Sequence, residues 1–219
     1  MRKPVCSGKF EREARAKGYT RIAGVDEAGR GSLFGPVFAG AVVLCPDREI
    51  RGLRDSKELT PDRREVLAER IKARALAWGV GAADVYEIDR INIYQATRLA
   101  MSRAIEQVKP DYLLIDAVKL SLATPQENLI AGDARCQCIA AASILAKTAR
   151  DACMREWDRV FPEFGLCRHK GYTCPEHYEA LRKHGPTLLH RFSFEPVRDA
   201  SRWKNLWTGY DQMETTANA

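Results

Sequence analysis

Tyr112-Leu113-Leu114-Ile115-Asp116 is a short apolar run closed by one acid, with Lys109-Pro110 before it. A continuous apolar segment of this length fits a strand buried on both faces, as in a parallel sheet, and it delivers a carboxylate at its C-terminal end. Upstream, Asp89 caps a long helix running to about residue 108; downstream, Asn128-Leu129-Ile130-Ala131-Gly132-Asp133 repeats the design of apolar run and terminal acid. A helix over 138–160 follows and ends at Phe161-Pro162. Helix and strand alternating around residues 112–116 predict an α/β fold.

Further out, residues 20–26 (Thr-Arg-Ile-Ala-Gly-Val-Asp) read as a strand and 36–44 (Pro-Val-Phe-Ala-Gly-Ala-Val-Val-Leu) as a second one, joined by the Gly-rich 29–35. Two early strands before the alternation predict a mixed sheet flanked by helices. Thr60-Pro61-Asp62 supplies an N-cap, a proline at the first helical position and an acid, opening a helix with Val66, Leu67, Ile71 and Ala75 at helical spacing. Another strand lies within 77–88. Past 161 the texture turns to short segments with Gly, Pro and His, where Thr173-x-x-Glu176 with Pro175 reads as a capping box for a helix 175–184 that Gly185-Pro186 stops. Trp203, Leu206 and Trp207, at i, i+3 and i+4, predict a segment docked on the core, and 213–219 a frayed end. The expected organisation is an N-terminal segment 1–19, a catalytic core 20–160, a small helical C-terminal lobe 161–198 and a tail 199–219.

At 219 residues, with 45% hydrophobic and 29% charged residues, the chain can bury a full core. Its net charge of +6 favours an anionic partner, although solvated Lys and Arg on an ordinary surface would give the same figure. No apolar run is long enough to span a bilayer, and Met1-Arg2-Lys3-Pro4-Val5-Cys6 lacks the apolar stretch of a secretory signal, so a cytoplasmic protein is expected. Seven cysteines, odd in number and without a Cys-x-x-Cys pair, suit reduced thiols; Cys167, His169 and Cys174 read as incidental rather than a zinc site.

Chemistry concentrates in the acids. Asp26 with Glu27, Asp116 and Asp133 stand at the ends of three separate apolar runs. One such Asp usually caps a turn or pairs with an Arg, but three beside glycine-bearing turns point to a hard, oxygen-liking cation such as Mg²⁺ or Mn²⁺. Adjacent Asp26 and Glu27 face opposite ways in a regular strand, so both reach one site only if the strand ends or bends, which Ala28-Gly29 permits. Gly29, Gly31 and Gly35 allow close backbone approach, with Arg30 as a phosphate donor between them. Ser143, Lys147 and Arg150 share a helix face at i, i+4 and i+7, and Asp55-Ser56-Lys57 and Arg168-His169-Lys170-Gly171-Tyr172 offer more phosphate donors, the last with a ring able to stack.

Gly24-Val-Asp-Glu-Ala-Gly-Arg-Gly31, Asp55-Ser-Lys-Glu-Leu-Thr60, Leu114-Ile-Asp116, Ala131-Gly-Asp-Ala-Arg135, Ala141-Ala-Ser-Ile-Leu-Ala-Lys-Thr-Ala-Arg-Asp151 and His169-Lys-Gly-Tyr172 occur in the order found in bacterial ribonuclease HII, and the chain resembles that family over about residues 20–197. The resemblance implies a ribonuclease H-like sheet with a helical C-terminal lobe. It implies an endonuclease that cuts the RNA strand of RNA/DNA hybrids and cuts 5′ of single ribonucleotides in duplex DNA, using two divalent ions and leaving 3′-hydroxyl and 5′-phosphate ends. By the same resemblance Asp26, Glu27, Asp116 and Asp133 are the metal-binding carboxylates. Gly29, Arg30 and Gly31 sense the ribose 2′-hydroxyl, Tyr172 stacks on the sugar beyond it, and Ser56, Lys57, Ser143, Lys147 and Lys170 contact the backbone. A monomer with no membrane partner is expected. Ala117-Val118-Lys119-Leu120 lacks the Gly and Asn often found there in the family. The competing readings are another carboxylate nuclease or polynucleotidyl transferase of the same fold, and a basic nucleic-acid-binding module with structural acids.

Overall fold

The computed structural model describes residues 6–201, so the expectations for Trp203, Leu206, Trp207 and 213–219 lie outside the described residues. Two compact units emerge, one of residues up to 30, 37–83 and 93–150, the other of 31–36, 84–92 and 151 onward.

The first unit holds a five-stranded mixed sheet in the order β3 (Ala77–Ala83), β2 (Val37–Val43), β1 (Ile22–Ala28), β4 (Tyr112–Asp116), β5 (Gln126–Leu129). β1–β2 and β2–β3 are antiparallel, while β1–β4 and β4–β5 are parallel. β1 does not stop at Asp26 as the sequence suggested. Its pairing with β2 continues through Asp26↔Gly40 and Glu27↔Ala39 to Ala28↔Phe38, whereas pairing with β4 ends at Val25↔Ile115. Asp26 therefore sits in a continuing strand, just past the last pair with its parallel neighbour.

Sheet and helix meet closely on the Asp26 face because glycine and alanine remove the side chains between them. A Cβ on Gly24 would lie 2.1 Å from the Cys138 carbonyl carbon, and one on Gly40 2.3 Å from the Ala142 oxygen, so α4 (Gln137–Val160) lies with its backbone against the strands. α2 (Pro61–Arg74) packs Leu67, Ala68 and Ile71 into the same cluster as Val42, Ala140, Ala141, Ala142, Ile144 and Leu145. Thr60 caps α2 as expected, its hydroxyl accepting the Arg63 N–H, but Val66 is exposed rather than in the core. α1 (Lys9–Ala16) has no counterpart among the sequence expectations; its Glu11 Oε1 accepts the Cys138 N–H at 2.8 Å and so caps α4 from another helix. Elsewhere in this unit the glycines of β3 meet the C-terminal part of α3 (Val85–Val108), a Cβ on Gly81 falling 2.2 Å from the Ala100 oxygen.

α3 is broken at Asn92 (φ 67°, ψ 162°). Its start is a reciprocal cap in which Asp84 Oδ1 accepts the Glu87 N–H and Glu87 Oε2 accepts the Asp84 N–H. Asp89, expected as the cap, lies inside the helix and accepts the Phe192 and Ser193 N–H groups, both at 2.9 Å.

The second unit is built on Leu33, Phe34, Met154, Phe164, Leu166, Ala180, Leu181 and Val197, around α5 (Leu166–His169) and α6 (Pro175–His184). The expected capping box is not made. Cys174 takes the N-cap position, which puts Glu176 at the second helical residue instead of the third, and no side chain caps the helix. Gly185, at φ 72°, ends it as expected.

Candidate active site

Three backbone devices bring three carboxylates together in the first unit. Asp26 shares the face of Gly24 and is buried under α4, its Oδ1 accepting the Glu27 N–H at 2.8 Å. Asp116 closes β4, and its Oδ1 accepts the Gly132 N–H at 2.9 Å. That bond fixes the 3-10 turn Gly132–Ala134, which holds Asp133; Ala131 before it adopts a left-handed φ of 53°. Asp133 is thus carried by a turn and not by a strand end, because β5 stops at Leu129. Oxygens of Asp26, Asp116 and Asp133 lie within 4.8 Å of one another.

Such proximity is costly without a cation. At an effective dielectric of about 20, two unit charges this far apart repel by about 3 kcal/mol. Burial, then the charges of Glu27 and Asp116, lift the Asp26 carboxyl well above the usual range against a hydrogen bond from Ser143. Burial, then Asp55 and Asp116, raise Asp133, with Lys57 opposing. The donors are hard, convergent and short of positive charge, which fits a divalent cation.

β1 stays regular through Ala28, so Glu27 leaves the strand on the side opposite Asp26, yet its carboxylate stays close enough to feel the charges of Asp26 and Asp116. Its Oε1 lies 3.2 Å from Arg30 Nη1, and it is not in the three-oxygen group; burial raises its pKa while Arg30 draws it down. Ser56 and Ser143 are buried, their hydroxyl oxygens 2.9 Å apart and hydrogen-bonded to each other; both turn inward beside Asp26 instead of forming an exposed donor face. Lys57 is exposed and reaches within 3.7 Å of Asp133 Oδ2. Burial draws the Lys57 pKa down, and the carboxylates of Asp55, Asp133, Asp26 and Asp116 outweigh that and raise it. Lys147 is half-buried on α4.

Arg150 is fully buried rather than solvent-facing, and it explains Gly29: that residue has φ +99°, and a Cβ there would sit 2.1 Å from Arg150 Nε. No helical spacing rule could reveal this contact, though a glycine two residues after the acids was its trace. In the second cluster of possible ligands, Glu11 with Cys136 and Cys138, one carboxylate oxygen, Glu11 Oε1, is engaged as the α4 cap.

Gly31, Lys170 and Tyr172 belong to the second unit. Gly31 is exposed, with nothing within 4 Å of a built Cβ. The next residues clasp the Tyr172 segment: Ser32 bridges Tyr172, the Leu33 N–H donates to the Gly171 carbonyl at 2.8 Å, and Ser32 Oγ donates to the same carbonyl at 2.9 Å. Lys170 has φ 54° and its ammonium donates to the Cys167 carbonyl.

A family model for ribonuclease HII matches residues 23–197. The chain belongs to the ribonuclease HII family. A ribonuclease HII from Solibacter usitatus (strain Ellin6076) is 62% identical over 200 residues, spanning 90% of this chain and 88% of the relative. The ribonuclease HII of Geobacillus kaustophilus (strain HTA426) is 51% identical over 193 residues, spanning 87% and 74%. Among solved structures, the ribonuclease H2 of Pyrococcus horikoshii OT3 matches with a TM-score of 0.69 at 26% identity, covering 84% of this chain and 98% of that one. Ribonuclease HII is an endonuclease of the ribonuclease H type, a divalent-metal-dependent hydrolase acting on nucleic acid, and this chain is one. No described helix is long and apolar enough to cross a membrane.

Proposed function

We propose that this ribonuclease HII cuts the RNA strand of RNA/DNA hybrids and the 5′ side of single ribonucleotides embedded in duplex DNA, with Asp26, Glu27, Asp116 and Asp133 holding two divalent ions, Mg²⁺ or Mn²⁺. The observation that carries the reading is the convergence within 4.8 Å of mutually repelling carboxylate oxygens from buried Asp26 and Asp133 and half-buried Asp116. When bound, the ions supply Lewis acidity, easing proton loss from the attacking water and taking up charge on the leaving oxygen. The carboxylates orient that water opposite the leaving group; its oxygen attacks phosphorus, the bond from phosphorus to the 3′-oxygen breaks, and a 3′-hydroxyl and a 5′-phosphate remain. Arg30 holds Glu27 in place, and Lys57 and Lys147 draw in the phosphate backbone, with Lys170 as a further contact. Ser56 and Ser143 act by bracing Asp26.

Gly29, Arg30 and Gly31 sense the 2′-hydroxyl, the only local feature that separates a ribonucleotide from its DNA neighbours, and the open space at Gly31 supports it as the point of backbone approach. Tyr172 stacks on the neighbouring sugar. The protein acts as a monomer in the cytoplasm, a setting that its free cysteines support.

The test compares a DNA duplex holding one ribonucleotide with the same all-DNA duplex, each with Mg²⁺, with Mn²⁺ and without metal. Metal-dependent cutting 5′ of the ribonucleotide alone is expected; equal cutting of both duplexes overturns the reading.

A further inference from the structure

Two histidines that the site has not used are fully buried in the second unit. His177 Nε2 and His190 Nε2 lie 3.2 Å apart. Burial pulls the pKa of His177 down to about 4 and that of His190 to about 3, so both rings are neutral at physiological pH. A neutral ring carries one proton, and the partners say where it is. His190 Nδ1 accepts the Thr187 N–H at 2.9 Å, so its proton is on Nε2. His190 must then donate to His177 Nε2, which leaves the His177 proton on Nδ1, 3.1 Å from the Tyr172 carbonyl oxygen. Donation thus runs one way, from Thr187 through His190 and His177 to the backbone of Tyr172.

His190 also holds the segment that follows Gly31. Its backbone bridges Phe34, its ring stands edge-on to the Phe34 ring with centroids 4.9 Å apart, and its neighbours continue the clasp: the Arg191 N–H donates to the Leu33 carbonyl and the Gly35 N–H to the Leu189 carbonyl.

We propose that His177 and His190 are positioning residues for ribonucleotide recognition, setting Tyr172 and the Ser32–Phe34 segment in fixed register through this one-way hydrogen-bond relay. The inference rests on the recognition role given to Tyr172, and the test separates the two. It uses the full chain and three variants, assayed on a duplex with one ribonucleotide. His177→Leu keeps much of the volume and removes the bond to Tyr172. His177→Asn places an amide where Nδ1 stands and can still donate to the Tyr172 carbonyl, although it leaves a larger cavity. Tyr172→Ala is the reference.

His177→Leu is expected to lower kcat/KM at the embedded ribonucleotide about tenfold, mainly through KM, with the affinity for Mn²⁺ measured without substrate unchanged. His177→Asn is expected to recover most of that loss even where its melting temperature is lower than that of His177→Leu, an order that a purely structural role would reverse. In the double variant, adding His177→Leu to Tyr172→Ala should cost nothing more. If Tyr172→Ala is harmless, the recognition role of Tyr172 fails. If Tyr172→Ala is impaired while His177→Leu is not, or if activity follows melting temperature across the two His177 variants, the relay fails and the recognition role stands.

Discussion

Each unit of this ribonuclease HII buries a cluster of titratable side chains, and the two clusters are built on opposite principles. Asp26, Asp116 and Asp133 repel one another, and burial, with neighbouring carboxylate charges added to it, raises the pKa values of Asp26 and Asp133. His177 and His190 are neutral and each ring nitrogen has a hydrogen-bond partner. A buried group with its partners complete serves the fold or positions a neighbour; a buried group left in conflict is waiting for something the chain does not supply.

The sharpest way to break the comparison is to remove one charge from the strained cluster. Asp133→Asn should reduce metal-dependent cleavage by about 10²–10³-fold or more, the scale of losing one electrostatic group at a reaction centre. Its melting temperature should be unchanged or higher, because repulsion falls; a variant that unfolds, or one that cuts at the normal rate, would show the acids to be structural. Asp116 sharpens the point. Asp116→Asn retains an oxygen for the Gly132 N–H and should match Asp133→Asn, whereas Asp116→Ala should lose a further 1 kcal/mol or so of stability by freeing the turn that carries Asp133.

Next in size is the glycine pair. Gly29→Ala forces a Cβ into a positive-φ residue and against Arg150, and should cost about 3 kcal/mol in denaturant titration. Gly31→Ala meets nothing, so its stability should change by less than about 1 kcal/mol while cutting at embedded ribonucleotides falls. Equal stability losses at the two positions would remove the distinction between a packing glycine and a recognition glycine.

Acid should pull the clusters apart. The folded pKa values of Asp26, Glu27 and Asp133 are raised, so the folded state binds protons more tightly than the unfolded chain. In the absence of metal, stability around them should rise as pH falls from the raised values toward the usual carboxylate pKa of about 4, and metal affinity should fall over the same range. The histidines run the other way: with folded values of about 4 and about 3, they stabilise fully only above the ordinary histidine pKa of about 6.5, and that contribution is lost as pH drops through the interval. Between pH 7 and 5 the loss should be about 1–2 kcal/mol per histidine. Native-state hydrogen exchange, read separately at β1 and at residues 171–190, should show protection moving in opposite directions. The smallest effect concerns the unused capping box: Thr173→Ala should change stability by no more than a few tenths of a kcal/mol, against about 1 kcal/mol for Asp84→Ala, where the cap is made.

What could be read in advance follows the same division. β4 was legible to the residue, because a strand buried on both faces writes its burial into each position from Tyr112 to Ile115 before the acid that closes it. The mixed sheet followed from it, and so did three acids near one another. Position relative to partners was not legible. That β1 outlasts its parallel neighbour, that Asp133 rides a turn, and that Glu27 turns to Arg30 all depend on register across the sheet, which the local sequence does not contain. The start of α3 was missed, with Asp89 expected as the cap where Asp84 caps, and in α6, whose range 175–184 was read correctly, the N-cap is Cys174 and not Thr173; several capping-type residues compete nearby and packing chooses among them. Ser143 and Arg150 read by spacing as part of a phosphate-donor face; the approach of α4 to Gly24 and Gly40 puts Ser143 inside, and the missing side chain of Gly29 makes room for buried Arg150.

That approach has an evolutionary consequence. With Gly24 two residues before Asp26 and Gly40 directly across from it, the sheet around this acid offers no slot into which even a methyl group could be added without lifting α4, and with it Ser143. Drift can therefore rewrite the outer turns of α2 or the exposed side of α6 freely, while the bed beneath α4 admits almost no neutral neighbours. The residues that do no chemistry here should be as slow to change as those that do.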